Sequence, residues 1–465
     1  MSLAFKNRKL KIASIIYNYS PRIFQNVIFS FYGYLKLRES RYIYKNILPE
    51  IEMSDRMGKL EMTSIQEGLL RKVVEHAYNT TEFYRKEIDR SNIDMDRFEF
   101  SKDFTKLPIV NKQDILKYKE DFISSSSGKY RAKPQSSGGT TGTTLDFILD
   151  EKGYLLREAE VLNYWKRHGY IVGEERTVMY RAGVLVPSSR ELYKPWRQDY
   201  ARKMLYLSSY YSSPAFFKEY ADLLQKWKPQ YMHALPSAAY MFAVYLLGNG
   251  ICVPLKKFFS ASEMLYPYQK EVLEKAFDCE VVEHYGHSEP GNYAAGQCKL
   301  GHFHISPSNV FTEVTLEGDI LETSLTNFSM PFIRYKIGDK ADGIHHDTCG
   351  CGLTSSYIKK IEGRDSEVIV TGDGRMISTI GFDQIFRGSN VQLGQIVQTK
   401  AGEITLKIIP SLGFDMDSKE KILSELRDRV SAKTEINFIE VDSIPLEKSG
   451  KFRMIKSEVK LYGRK

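Results

Sequence analysis

Between Pro214 and His284 the chain switches repeatedly between helix-like and strand-like stretches, and no other feature restricts its fold as much. Pro214 opens a helical stretch through Trp227. Tyr231–Leu235 then reads as a strand, Ala238–Leu247 as a helix, Phe258–Ser260 as a strand and Phe277–His284 as a buried strand. Such alternation points to helices layered on a sheet, an α/β fold. Upstream, Ile65–Tyr78 carries Leu69, Leu70, Val73, Val74 and Ala77 near helical spacing, and Glu151–His168 reads as another helix. Short strands dominate from Val310 to Val370. Beyond Gly363 come a strand (Val368–Val370), a helix (Ile380–Phe386), two strands (Val391–Thr399 and Glu403–Ile409), a helix (Ser418–Val430) and a strand (Ile436–Val441), enough for a compact α+β unit. The expectation is a large multi-layer N-terminal domain over residues 1–362 and a small α+β C-terminal domain over 363–465. A chain of 465 residues is long enough for both.

Hydrophobic residues make up 42% and charged residues 27%, the proportions of an ordinary globular protein. The formal charge of +8 is mild and dispersed. It fits an anionic small substrate as readily as a membrane surface or nucleic acid, and no motif adds a reason to choose nucleic acid. Five cysteines, an odd number, argue for a reducing compartment, the cytoplasm, rather than a disulfide framework. Residues 1–45 form a basic amphipathic segment, and over residues 1–41 Lys6, Arg8, Lys9, Lys11, Arg22, Lys36, Arg38 and Arg41 face only Glu39. Its apolar runs, Ile12–Tyr19 and Ile23–Leu35, fall short of the roughly 18 residues of a spanning helix, and no cleavage pattern marks a signal peptide. Such a segment either covers the domain's own core or lies peripherally on the inner face of an anionic membrane.

Ser136-Ser137-Gly138-Gly139-Thr140-Thr141-Gly142-Thr143-Thr144 contains no apolar side chain. Glycines let a backbone approach a ligand, and successive amides with added hydroxyls make an anion-binding concavity. The alternative is a flexible linker. No lysine follows Gly142, so this is not a Walker A loop. Thr143–Leu149 reads as a strand, which makes the stretch a phosphate loop between strands.

Three later motifs carry candidate chemistry. Tyr285-Gly286-His287-Ser288-Glu289-Pro290 lies at a strand end, where open α/β sheets bind ligands. Pro290 stands where a serine nucleophile elbow needs glycine, so Glu289 reads better as a hard oxygen ligand for Mg²⁺. Asp339, after the Gly338 turn in Arg334-Tyr335-Lys336-Ile337-Gly338-Asp339, can accept two hydrogen bonds from a ribose diol. Lys451 lies in Pro445-Leu446-Glu447-Lys448-Ser449-Gly450-Lys451. It is a solvated surface charge unless domain closure carries it to developing phosphate charge. A hinge at Gly363-Arg364 could allow that closure. Separately, Cys298, His304, Cys349 and Cys351 supply three thiols and an imidazole, the complement of a closed tetrahedral zinc site. Cys-x-Cys is not the common knuckle spacing, buried free cysteines are the alternative, and His345 and His346 compete as ligands.

In this order and spacing the motifs resemble the adenylate-forming enzymes, the superfamily of acyl-CoA synthetases and luciferase, over about residues 100–455. Leu235-Pro236-Ser237-Ala238-Ala239-Tyr240, Ser260-Ala261-Ser262-Glu263-Met264-Leu265 and the Pro21, Gln25, Asn26 pattern are similar to the phenylacetate–CoA ligase and CapK-like branch. The resemblance implies that Ser137, Gly138, Gly139, Thr140, Thr141 and Gly142 hold the ATP β- and γ-phosphates and Glu289 the Mg²⁺. Ser262, Glu263, Tyr285, Gly286 and Ser288 would line the nucleotide, and Asp339 and Arg364 would serve the ribose. Lys451 would be the adenylation lysine, with Lys451, Glu289 and Arg364 as the catalytic set. A comparable zinc site in phenylacetate–CoA ligase-like proteins favours structural Zn²⁺ on Cys298, His304, Cys349 and Cys351. Gly138 in place of a hydroxyl, Thr144 in place of proline and Ser366 in place of the usual hinge Asp or Lys depart from the pattern.

The implied activity is ATP- and Mg²⁺-dependent conversion of a small carboxylic acid to an acyl-adenylate and pyrophosphate. Transfer then follows to CoA, an amino sugar or an amine, in surface-polysaccharide biosynthesis. The rival is a catalytically silent homologue that binds or scaffolds in such a pathway. Retention of Glu289, Asp339, Arg364 and Lys451 together argues against it.

Overall fold

A computed structural model describes residues 20–136, 145–181, 194–209, 211, 214–260, 262–362, 368–373, 376–378, 385–386, 389–430, 432–446 and 452–459. The loop at 137–142, the hinge at Gly363-Arg364 with Ser366, most of the helix expected over Ile380–Phe386, and Lys451 lie outside the described residues. The fold is mixed α/β, in two compact units. The first comprises residues 1–175, 197–204 and 283–361, the second residues 176–196, 205–282 and 362–465.

The first unit opens with helices α1 (Arg22–Asn46), α2 (Leu48–Ser54), α3 (Lys59–Thr80) and α4 (Glu82–Arg90). Strands β1 (Lys133–Ser136) and β2 (Asp146–Leu149) pair antiparallel from Lys133↔Leu149 to Ser136↔Asp146, so they flank the glycine–hydroxyl stretch on both sides. Helix α5 (Glu151–Arg167) follows. Asp150, just before it, spends its carboxylate elsewhere: it accepts the backbone N–H groups of Phe328 and Ser329 at 2.8 and 2.9 Å. Asn327 donates to the carbonyls of Ile148 and Met330, both at 2.9 Å, which ties this loop to the end of β2. Val73, Val74, Tyr84, Phe147, Phe332 and Ile333 lie in the core beneath.

The second unit begins with β3 (Thr177–Arg181), and the chain continues through β4 (Trp196–Asp199) and β5 (Met204–Ser208). Helix α6 (Pro214–Trp227), β6 (Tyr231–Ala234), α7 (Pro236–Gly248) and β7 (Lys257–Ser260) then alternate as the sequence predicts, and α8 (Pro267–Phe277) follows, a helix that the sequence reading does not mark. Phe217, Tyr220, Ala221 and Leu224 bury one face of α6, at the i, i+3, i+4, i+7 spacing of an amphipathic helix. Pro236 sits in the first turn of α7, where its missing N–H costs nothing. Strands β3, β6 and β7 run parallel, with Met179, His233 and Phe259 side by side.

Strand β8 (Glu280–His287) returns the chain to the first unit and starts later than the sequence suggests. Phe277 belongs to α8, where its ring packs 5.6 Å from that of Phe258, and Asp278 ends the helix in the left-handed region at φ 43°. Strands β9 (Gly291–Gln297) and β10 (Phe303–Ile305) continue antiparallel pairing. Strands β11 (Val310–Val314), β12 (Asp319–Ser324) and β13 (Tyr335–Ala341) form a second antiparallel meander, and β14 (Tyr357–Ile358) pairs with β10. After β15 (Ile361–Glu362) the second unit resumes with β16 (Val368–Val370) and β17 (Met376–Ser378). Strands β18 (Val391–Lys400) and β19 (Glu403–Pro410), helix α9 (Met416–Arg429), and strands β20 (Glu435–Glu440) and β21 (Ile455–Ser457) complete it, with strand order β20-β19-β18-β21. Ile396, Leu406, Ile408, Ile422 and Leu426 pack between that sheet and α9.

Candidate functional site

Tyr285, Gly286 and His287 end β8, and Ser288, Glu289 and Pro290 form the turn into β9. Gly291 holds that turn against its neighbours: a Cβ there would stand 2.7 Å from Asn309 Nδ2 and from Val310 Cγ1. Asp339 comes from β13. The register runs Asp319↔Lys340 and then Leu321↔Lys336, so β13 bulges between Lys336 and Lys340. Gly338, in the bulge, has φ 89°, a conformation that glycine adopts without strain. The bulge presents Asp339 to the end of β8, where the Tyr285 hydroxyl donates to its Oδ2 at 2.9 Å.

The base of β13 is anchored by Arg334, itself in the left-handed region at φ 48°. Its guanidinium donates to the carbonyls of Thr105 at 2.6 Å and Leu107 at 2.7 Å and pairs with Glu313 at 3.1 Å. These bonds offset the strain of a non-glycine residue with positive φ.

Two further groups belong to this cluster. Glu322, fully buried on β12, stands 2.8 Å from His287 Nε2. Burial, reinforced by the Asp339 and Glu289 carboxylates, pushes the Glu322 carboxyl well above its ordinary range. Arg157, buried on α5, interacts electrostatically with Glu289. Burial draws its guanidinium down to about 10, against the pull of Glu158 and Glu289. Its Nε and Nη1 have no hydrogen-bond partner among the described residues. The cluster thus combines acidic oxygens suited to a hard cation and a ribose diol with a cation that limits the accumulated negative charge. Sequence patterns did not single out Arg157 or Glu322: an arginine within a helix reads as a surface charge. The only signal for Glu322 is an acid inside the otherwise buried run of β12.

Ser262 and Glu263 lie in the second unit, in the turn after β7, and Ser262 adopts φ 73°. They are thus at the carboxyl end of a parallel strand, where ligands bind in open α/β sheets. Tyr180 and Phe259 are core residues: Tyr180 packs edge-on to Tyr220, and Phe259 stacks on His233 with ring centroids 4.6 Å apart.

Cys298, His304, Cys349 and Cys351 converge, with ligand atoms all within 4.8 Å of one another. His304 Nδ1 faces the carbonyl of Ser355 at 3.0 Å, and Nε2 faces Cys351 Sγ at 3.2 Å. A proton on Nδ1 leaves Nε2 as the free donor atom, the usual way a second partner orients a metal-binding imidazole. Burial lowers the His304 pKa to about 4, so the ring is neutral, as a ligand must be. Burial also pushes the Cys349 thiol up to about 12, so a cation is needed to draw out its thiolate. Gly350, at φ 76°, supplies the turn between the two thiols. His345 lies 3.5 Å from Asp342 and His346 2.8 Å from the Ser356 hydroxyl, so neither joins the quartet. His302, which sequence spacing does not mark, adds a nitrogen 3.2 Å from Cys349 Sγ. The donor set fits zinc.

This architecture is the adenylate-forming CoA ligase fold. The crystal structure of 2-hydroxyisobutyryl-CoA ligase in the postadenylation state, in complex with R3-HIB-AMP, matches with a TM-score of 0.67 over 88% of this chain and 92% of that one, at 17% identity. The chain is a homologue of Protein CapK of Staphylococcus aureus, 26% identical over 457 residues, 96% of this chain and 99% of that protein. Residues 369–458 match the CapK C-terminal domain. Indoleacetate–lysine synthetase of Pseudomonas savastanoi is 26% identical over 222 residues, 45% of this chain and 53% of that protein.

Proposed function

We propose that the protein activates a carboxylic acid with Mg·ATP, forming an acyl-adenylate and releasing pyrophosphate, and then transfers the acyl group to a nucleophile. The observation that carries this reading is the Tyr285–Asp339 hydrogen bond beside Glu289, on an adenylate-forming ligase fold. Asp339 would accept the ribose hydroxyls, with Tyr285 holding one of its oxygens. Glu289 would ligate Mg²⁺, which neutralises phosphate charge when bound. Ser262 and Glu263 would lie by the adenine. Residues 137–142 would take the β- and γ-phosphates, and Arg364 would assist at the ribose. The substrate carboxylate attacks the α-phosphorus in line and pyrophosphate departs, so the protein contributes mainly positioning and charge stabilisation. Residues 363–465 would act as a small domain hinged near Asp365–Glu367, bringing Lys451 to the phosphates for this step and withdrawing it for the next.

An acceptor nucleophile then attacks the acyl carbon and AMP leaves. CoA fits the ligase fold, and an amine acceptor is supported by the similarity to a protein named for joining indoleacetate to lysine. A place in surface-polysaccharide biosynthesis rests on the CapK similarity. Zinc on Cys298, His304, Cys349 and Cys351 would be structural, because four protein ligands leave no position for substrate. ATP–pyrophosphate exchange across a library of carboxylic acids tests the reading: one acid class should support exchange, and none would do so if the protein only binds or scaffolds.

A further inference from the structure

Helix α1 carries an apolar stripe that faces outward, apart from the apolar residues it buries. Gln25, Asn26, Phe29, Gly33 and Leu37 form the buried face. Asn26 Oδ1 accepts the N–H of Gln198 at 3.2 Å, and the Ser30 hydroxyl accepts that of Tyr200 at 3.0 Å. Gly33 leaves room for the Asp199 carboxylate, which any Cβ would strike. The side docked against its own unit therefore mixes Gln25, Asn26 and Gly33 with the apolar Phe29, Leu37 and Ile43. On the opposite side Ile23, Phe24, Val27, Phe31 and Leu35 are exposed, Ile23 by 77%, Phe24 by 62% and Phe31 by 65%. Farther along the same stripe Arg38, Arg41 and Lys45 are exposed. The one acid of the helix, Glu39, is paired with Lys36 at 2.7 Å.

We infer that α1 lies on an anionic lipid bilayer, with its aromatic and aliphatic face at the headgroup–acyl boundary and Arg38, Arg41 and Lys45 against lipid phosphates. A contiguous exposed apolar stripe of this kind marks an interaction surface, and its continuation into basic residues matches interfacial helices. Charge complementarity selects the occupant. A second copy of the helix would bring no unpaired acid to meet Arg38, Arg41 and Lys45. Residues 1–19 would not either, since they carry Lys6, Arg8, Lys9 and Lys11 and no acid. Phosphate headgroups do. No described helix is long and apolar enough to cross a membrane, which leaves attachment along the surface. The inference stands apart from the adenylation reading and survives if that reading fails.

Co-sedimentation of the full-length protein with vesicles tests it. Vesicles of phosphatidylglycerol and phosphatidylcholine should pellet the protein, high salt should release it, and pure phosphatidylcholine should leave it in solution. The double variant Phe24→Asp/Phe31→Asp should lower vesicle partitioning about tenfold or more, and Arg38→Glu/Arg41→Glu should abolish the preference for anionic lipid. Both variants change exposed residues, and an unchanged melting temperature will show that the fold is intact. No pelleting, or equal pelleting with neutral and anionic vesicles, overturns the proposal. So does a dimer in light scattering that the phenylalanine variant splits into monomers while vesicle recovery stays constant, since the face would then join two copies.

Discussion

The hydroxyl of Tyr285 and Oδ2 of Asp339 are 2.9 Å apart, and this bond joins the end of β8 to the bulge of β13. It fixes one carboxylate oxygen, so the orientation of the acid toward a ribose depends on a residue 54 positions away in sequence. Tyr285→Phe should therefore raise the KM for ATP by about tenfold, the scale of one hydrogen bond to a charged group, with little change in kcat. Asp339→Ala should raise it further, because the ribose would lose its acceptor. Steady-state kinetics in ATP check both. Equal, small effects would show that Asp339 is a structural turn residue.

Gly338→Ala isolates the bulge. A Cβ at Gly338 meets no atom within 4 Å, yet φ is 89°, so the cost is backbone strain alone, about 1–2 kcal/mol. The variant should fold, melt slightly lower and bind ATP more weakly as Asp339 shifts. Thermal melting with ATP titration measures both effects.

Protein purified without added metal should carry about one zinc per chain, measured by elemental analysis. Chelation should lower the melting temperature without selectively removing adenylation. The chelated protein should also be acid-sensitive. His304 has a pKa near 4 in the folded state against an ordinary 6.5, so the unfolded chain binds the proton more readily. Stability is then fully present above pH 6.5 and declines as pH falls toward 4. His304→Ala should flatten that part of the profile. Metal-free protein of normal stability would remove the zinc assignment.

Lys451→Ala should slow adenylate formation by roughly 10²–10³-fold, the loss of one preorganised charge-stabilising donor, while ATP binding persists. Single-turnover adenylate formation and equilibrium ATP binding separate the two. Near-normal turnover would make Lys451 a surface residue.

The layered alternation from Pro214 to Ser260 is legible in the sequence because each helix buries a regular stripe, as Phe217, Tyr220, Ala221 and Leu224 do in α6. The zinc quartet is legible as a set of residue types, and its convergence depends on pairing between β9, β10 and β14 that no local pattern encodes. Gly338-Asp339 reads as a turn, whereas its role as a bulge requires knowing the register of β12. Burial of Arg157 and Glu322 is a tertiary property: neighbouring residues do not reveal that a charge will be enclosed. Apolar residues lie on both sides of α1, so hydropathy cannot tell that Asn26, Ser30 and Gly33 are on the side that docks.

The central claim is that a substrate carboxylate attacks the α-phosphorus of ATP. Once an acid that supports exchange is identified, its carboxyl group can be labelled with a heavy oxygen isotope and the products of complete turnover weighed by mass spectrometry. The account predicts labelled AMP and unlabelled pyrophosphate. Label in inorganic phosphate, with ADP as the co-product, would mean attack at the γ-phosphorus and would contradict it.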